Sequence, residues 1–207
     1  EDQFSIPEVA PDGDLYVHYV NGQNESAWEV QFDFDGQLMV VKSTNGGASF
    51  GDPVPVVQLE DGLSDMPYSV IGRQTVWGHQ IRWTPIGNIS ADPTDADRLE
   101  IVFADRGTAN PNATEECFFN GAEAPDYDPC DAGPGSDTDV YIVESTDGGV
   151  TWGSRQIVDE EGHAWFPWAD HKPDGTLAIA WDQDSTAAPA DTFQHVLRVG
   201  GGAIELL

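Results

Sequence analysis

Basic residues are scarce in this chain of 207 residues: 8 Lys+Arg stand against 37 Asp+Glu, for a formal net charge of -29. A surface so poor in cations repels phosphate backbones and anionic bilayers, which sets nucleic acid and charged membranes aside as partners. Long apolar runs are also missing. None approaches the roughly 18 residues of a membrane helix, so insertion by a helix is not expected. Cysteine is held to two residues, Cys117 and Cys130, in a polar stretch rich in Asp, Gly and Pro. Such an isolated pair reads as a disulfide made in an oxidising compartment, a loop closure worth ~3 kcal/mol, with two free thiols as the alternative. Helical periodicity is nearly absent, and no signal peptide stands at Glu1, so an exported form would have lost one.

Strongly acidic chains are often disordered, but seven Trp and nine Phe supply the material of a packed core. Alternating apolar runs recur at Asp14–Val20, Gln37–Lys42, Leu99–Ala104, Asp139–Glu144 and Thr176–Trp181, each bounded by Gly, Pro, Asn or Asp. That is the pattern of short antiparallel strands, so the expected class is all-β. The chain also repeats itself. Three turn-to-strand phrases, APDGDLYV from Ala10, ADPTDADRL from Ala91 and KPDGTL from Lys172, place prolines at 11, 93 and 173, which are 82 and 80 residues apart. Regular self-similarity of this kind marks repeated supersecondary units. A second phrase occurs twice, as STNGGASF over Ser43–Phe50 and STDGGVTW over Ser145–Trp152. Asn45 or Asp147 accepting from nearby N–H groups, with glycines at positive φ, makes each a tight turn between strands. Phe50 and Trp152 are expected to return an aromatic ring to the core.

Ser145-x-Asp147-x-Gly149-x-x-Trp152, and Ser43-x-Asn45-x-Gly47-x-x-Phe50 with two mild departures, resemble the Asp-box or BNR repeat of sialidase-like β-propellers. The resemblance implies a β-propeller of four-stranded antiparallel blades, with the box joining the third and fourth strands. About two and a half blades are expected: 4–60, 79–158 with an insert over 107–137, and an incomplete unit over 163–207. The remaining blades would come from a longer chain or from other copies. In that family the first blade opens on Phe/Tyr-Arg-Ile-Pro, whose arginine binds the substrate carboxylate. Phe4-Ser5-Ile6-Pro7 matches it except that Ser5 replaces the arginine, so that clamp is lost. The family's acid/base carboxylate falls in the neighbourhood of Asp33 and Asp35.

Other candidates rest on residue chemistry alone. Asp126, Asp128, Asp131, Asp137 and Asp139 offer hard oxygen ligands that suit Ca2+, although their spacing is not that of an EF-hand. Trp77, Trp83, Trp165 and Trp168 are sugar-stacking candidates, with core packing as the alternative. His79, His163 and His171 lack the spacing of a transition-metal site. Asn24, Asn88 and Asn112 begin glycosylation sequons. Together these features describe a secreted or cell-surface module binding glycans or protein partners, non-catalytic as it stands. One alternative is a sialidase-type glycoside hydrolase whose remaining catalytic residues lie outside this sequence; a second is a surface-assembly or adhesion component.

A charge of -29 on a compact body is self-repulsive, and salt near 1 M shortens the Debye length to ~3 Å. A saline habitat would supply that screening. The thermal midpoint is expected to rise with NaCl from low salt to about 1 M, and a midpoint indifferent to salt would contradict this reading.

Overall fold

The computed structural model describes residues 2–21, 36–59, 85–106, 138–159, 162–184, 193–201 and 205–206, and the regular structure among them is entirely strand. The first sheet contains β1 (Asp2–Val9), β2 (Leu15–Asn21), β3 (Gln37–Ser43) and β4 (Val54–Gln58). The second contains β5 (Asn88–Ala91), β6 (Leu99–Arg106), β7 (Thr138–Ser145) and β8 (Gln156–Ile157), and the third β9 (Ala164–His171), β10 (Leu177–Asp184), β11 (Phe193–Val199) and β12 (Glu205–Leu206). Each is antiparallel, and its strands lie side by side in chain order. All five alternating runs of the sequence form strands, namely β2, β3, β6, β7 and β10. The third unit, expected to be cut short, has a fourth strand: Glu205 and Leu206 pair with Leu197 and Val196.

The sheets stack face to face, as propeller blades do. Tyr16, Leu38 and Val40 on the back of the first sheet form one core with Ile101, Phe103 and Tyr141 on the front of the second. Val102 and Val140 on the back of the second form another with Ile179, Trp181 and Val196 on the front of the third. β6 is therefore covered on both faces, and every residue from Leu99 to Asp105 is buried. In β2 the burial alternates instead: Tyr16, His18 and Val20 are inside, whereas Leu15, Val17 and Tyr19 are only half-buried. First strands adjoin first strands, with β5 against both β1 and β9. The Glu8 carboxyl on β1 is raised by burial, lowered by the Ala91 N–H, and also feels Asp170 and His171 on β9. The first strands of all three sheets thus gather on one side of a fanned stack.

The repeated phrase joins third strand to fourth in both sheets where it occurs. Its two copies are wired alike. The Ser43 and Ser145 hydroxyls each accept from the glycine N–H four residues on, at 2.9 Å. The Oδ1 of Asn45 accepts from Ser49 N–H and that of Asp147 from Thr151 N–H, both at 2.9 Å. Asparagine serves in the first copy because this Oδ1 acceptor is common to both residues. The difference lies in the other atom: Asn45 Nδ2 donates to Ser49 Oγ, while Asp147 Oδ2 accepts from Thr151 Oγ1. The Thr151 hydroxyl and N–H hold the Asp147 carboxyl down at about 2.

The surroundings of the two turns differ. Trp152 packs against the core between the first and second sheets, but Phe50 is 44% exposed, which corrects the expectation that it reaches a core. In the second turn the carbonyl of Gly148 accepts from the Tyr16 hydroxyl of the first sheet at 3.2 Å. A Cβ on Gly149 (φ 80) would lie 3.1 Å from the Tyr16 ring, whereas one on Gly46 (φ 68) meets nothing within 4 Å. Gly46→Ala is expected to cost roughly 1–2 kcal/mol from the left-handed backbone alone. Gly149→Ala should cost roughly 2–4 kcal/mol, because overpacking against Tyr16 adds to that penalty. Urea midpoints compare them, and equal losses would show that the second turn does not bear on the first sheet.

Candidate functional site

The two ends of the stack are unlike. At one end strands are joined by tight turns such as Ala10–Asp14 and Lys172–Thr176, each closed by a 2.9 Å bond between backbone groups four residues apart. At the other end lie the strand termini Asn21 and Gln37, Arg106 and Thr138, and Asp184 and Phe193, between which the chain's long connections leave and return.

Two first strands carry an irregularity there. In β1 the register shifts between Gln3 and Ile6, and β9 makes the same shift opposite Ala180 and Asp182. Phe4 (φ 58) and Phe166 (φ 50) occupy equivalent places in the two bulges, each five residues before the last paired residue of its strand. They are the only non-glycine residues at positive φ among those described, and they are 43% and 45% exposed. A bulky side chain in this region is strained, and bulges of this kind re-aim side chains beside functional sites. Ser5 and Pro167 follow them, so neither bulge presents a cation.

Charged groups nearby are committed to structure. Asp105, fully buried on β6, is 2.7 Å from the Arg155 guanidinium, which also lies over the Tyr141 ring. Arg198 donates to the Val158 carbonyl. His163 Nδ1 accepts from Thr138 N–H, and the His163 N–H is bonded to Asp184. Asp159 accepts from Val140 N–H at 2.7 Å. On β10 and β11, Asp182 and His195 form an exposed pair at 2.5 Å. Among the described residues no three His, Cys, Asp or Glu side chains are grouped to hold a metal ion.

The candidate residues fare differently. Asp33, Asp35, Trp77, Trp83, Cys117, Asp126, Asp128, Cys130, Asp131, Asp137, Asn24 and Asn112 lie outside the described residues. Asp139, on β7, accepts from the Tyr141 hydroxyl at 3.0 Å. Trp165 is 1% exposed and meets Phe193 edge-on, so it is a core residue and offers no surface to a sugar. Trp168 is 57% exposed on the back of the third sheet. Asn88 is buried, its amide holding both the N–H and the carbonyl of Ala169, bonds that an attached glycan would have to break.

Sequence reading missed a polar seam at the tight-turn end. Ser90 Oγ is 2.8 Å from His171 Nδ1, and His171 Nε2 is 3.2 Å from buried Glu100. Arg98 reaches Glu100 at 2.9 Å, with Glu144 and Asp92 at 3.4 and 3.6 Å. Burial pushes the Asp92 carboxyl up, but bonds from Thr94 and the charges of His171 and Arg98 outweigh it and leave it low. The only signal for this seam was charge inside an otherwise apolar run, Leu99-Glu100-Ile101.

His18 was missed too. It is fully buried on β2, with only the Gly87 backbone as a weak partner for its ring. Burial drives it down to about 4, against a smaller opposing pull from the Gly87 backbone. The folded ring is neutral, and the unfolded one takes up a proton below about 6.5. Stability is therefore lost as pH falls from 6.5 toward 4, by up to ~3 kcal/mol. His18→Val places at this position the residue type of its register equivalent, Val102. The variant is expected to lose about 2–3 kcal/mol less than wild type between pH 7 and 4.5 in urea titrations. Parallel losses would assign the acid sensitivity to carboxylates alone.

No protein-family model matches the chain, and no curated protein matches its sequence. Solved structures do resemble it. An alpha-L-arabinanase of Penicillium chrysogenum, complexed with arabinobiose, aligns with TM-score 0.57 at 12% identity over 98% of this chain. The Hadza microbial sialidase Hz136 aligns with TM-score 0.54 at 14% identity, and a protein of unknown function from Dyadobacter fermentans with 0.53 at 15%, each over 99% of the chain. The likeness at these identities is one of fold, that of propeller enzymes of glycan processing. The chain spans 49%, 37% and 50% of those three chains, respectively.

Proposed function

We propose that the chain is part of a carbohydrate-binding Asp-box β-propeller acting outside the cell, whose loop end receives a neutral glycan without cleaving it. The three sheets are its blades, over approximately 4–60, 79–158 with the insert 107–137, and 163–207. The observation that carries this reading is the pair of exposed phenylalanines, Phe4 and Phe166, held at positive φ in equivalent bulges of two first strands. An aromatic ring kept exposed at a conformational cost suits the apolar face of a sugar.

Charge supports a neutral ligand over an acidic one. Ser5 supplies no clamp for a carboxylate, Arg155 is tied to Asp105, and the net charge of -29 repels anions. Calorimetric titration with neutral arabino- and galacto-oligosaccharides is expected to show binding, with sialyllactose much weaker. Phe166→Ala should weaken it roughly five- to tenfold, ~1–1.4 kcal/mol. Absence of binding to any neutral glycan would overturn the ligand class, and turnover of a fluorogenic sialoside would instead favour the glycosidase reading.

A further inference from the structure

We propose that the front of the first sheet and the back of the third are the two halves of one contact, made head to tail with a second copy of this chain. This inference is independent of the glycan reading. Both internal interfaces follow one rule, the front of each sheet packing on the back of the sheet before it. Two faces are left over, and no other described element packs on either.

Register shows what the leftover faces are built for. Leu15 pairs with Ser43 as Leu99 pairs with Ser145, so Leu15, Val17 and Val41 stand where Leu99, Ile101 and Val143 stand in the second sheet. The latter three are buried against the first sheet, whereas the former are only half-buried. Phe50, 44% exposed, corresponds to Trp152, which is packed on that core, and Gly46, facing open space, corresponds to Gly148, which lies against Lys42 and Tyr16. The front of the first sheet therefore has the side chains of an interface without its partner. In a chain with 37 Asp+Glu, these positions carry no acid.

The back of the third sheet is the matching half. Ala178 and Ala180 on β10 and Leu197 and Val199 on β11 occupy the register of the back faces that are covered in the other two sheets. Trp168, 57% exposed, holds the register place of Asn88, which brackets Ala169 across the next interface. In a contact of the same kind Trp168 meets Pro7 of the second copy, the register equivalent of Ala169. Asp170, equivalent to Glu8, is likewise placed to accept from the Val9 N–H of that copy, as Glu8 accepts from Ala91 N–H at 3.2 Å. Heterologous contacts close into rings when the rotation permits. The stack is fanned with its first strands inside, and two copies supply six sheets, within the roughly 4 to 8 that close a propeller.

Sedimentation of the 207-residue chain at several NaCl concentrations tests the proposal. A species of twice the monomer mass is expected, and it should strengthen toward about 1 M salt, since like-charged copies approach more readily when screened. Val9→Lys alters the front and Trp168→Lys the back, at residues 61% and 57% exposed, and each lowers the net negative charge. Far-UV circular dichroism and the thermal midpoint verify that both variants fold. Each alone should lose association at least tenfold, and an equimolar mixture should regain a dimer through the one intact front and the one intact back. Self-association by either variant at wild-type strength would overturn the head-to-tail arrangement. A wild-type monomer at every salt and at about 100 µM would overturn the second copy as occupant, leaving these faces to other sheets of a longer polypeptide.

Discussion

β6, inside the second sheet, has no solvent face, and this requirement organises its neighbours. β6 runs Leu99-Glu100-Ile101-Val102-Phe103-Ala104-Asp105, buried throughout, because the first sheet covers one side and the third the other. A strand covered on both sides must bury whatever polarity it carries. Glu100 does so beside Arg98 and His171, and Asp105 beside Arg155. Removing one partner would leave an uncompensated buried charge, which is far more costly than the pair is stabilising. The interface with the third sheet, where His171 meets Glu100, is thus selective about what lies across it as well as apolar.

Among the described residues, most cations are committed to this internal work. Lys42 pairs with Asp14 and lies over Tyr16, Arg98 serves the seam between second and third sheets, and Arg155 and Arg198 hold β-sheet neighbours. Burial opposes the charge on Lys42, but Asp14 and Tyr16 outweigh it and keep the lysine well above its ordinary range. Lys172, half exposed beside Asp174, is an exception among these cations.

Much of the fold was legible because period-two runs and turn residues are local signals. Leu15–Asn21 and Thr138–Ser145 were readable from alternation, and the repeated turn from Ser, Asn or Asp, and Gly at fixed offsets. Asn88–Ala91, Gln156–Ile157 and Glu205–Leu206 were not, since strands of two to four residues carry too little pattern. The site was less legible. Whether Trp165 is a platform or core, and whether Phe50 is covered, depends on which sheet lies across the interface, which spacing within one sheet does not encode. The bulges at Phe4 and Phe166 were hidden for a related reason: positive φ at phenylalanine has no residue signature as it does at glycine.

Strand order equals chain order in all three sheets, and this bears on how the chain reaches its structure. Each sheet is a meander, so every pairing joins strands that are consecutive in the chain, and each can form while its neighbours are still loose. The contacts between sheets are of a different range: Tyr16 reaches Gly148 across 132 residues, and Asn88 reaches Ala169 across 81. Assembly on a ribosome would favour the same order, with the first sheet complete before the turn that rests on Tyr16 has been made. The second sheet, emerging between two partners, would hold Glu100 exposed until the third arrived. Its fastest route to a finished core is therefore set by the slowest neighbour.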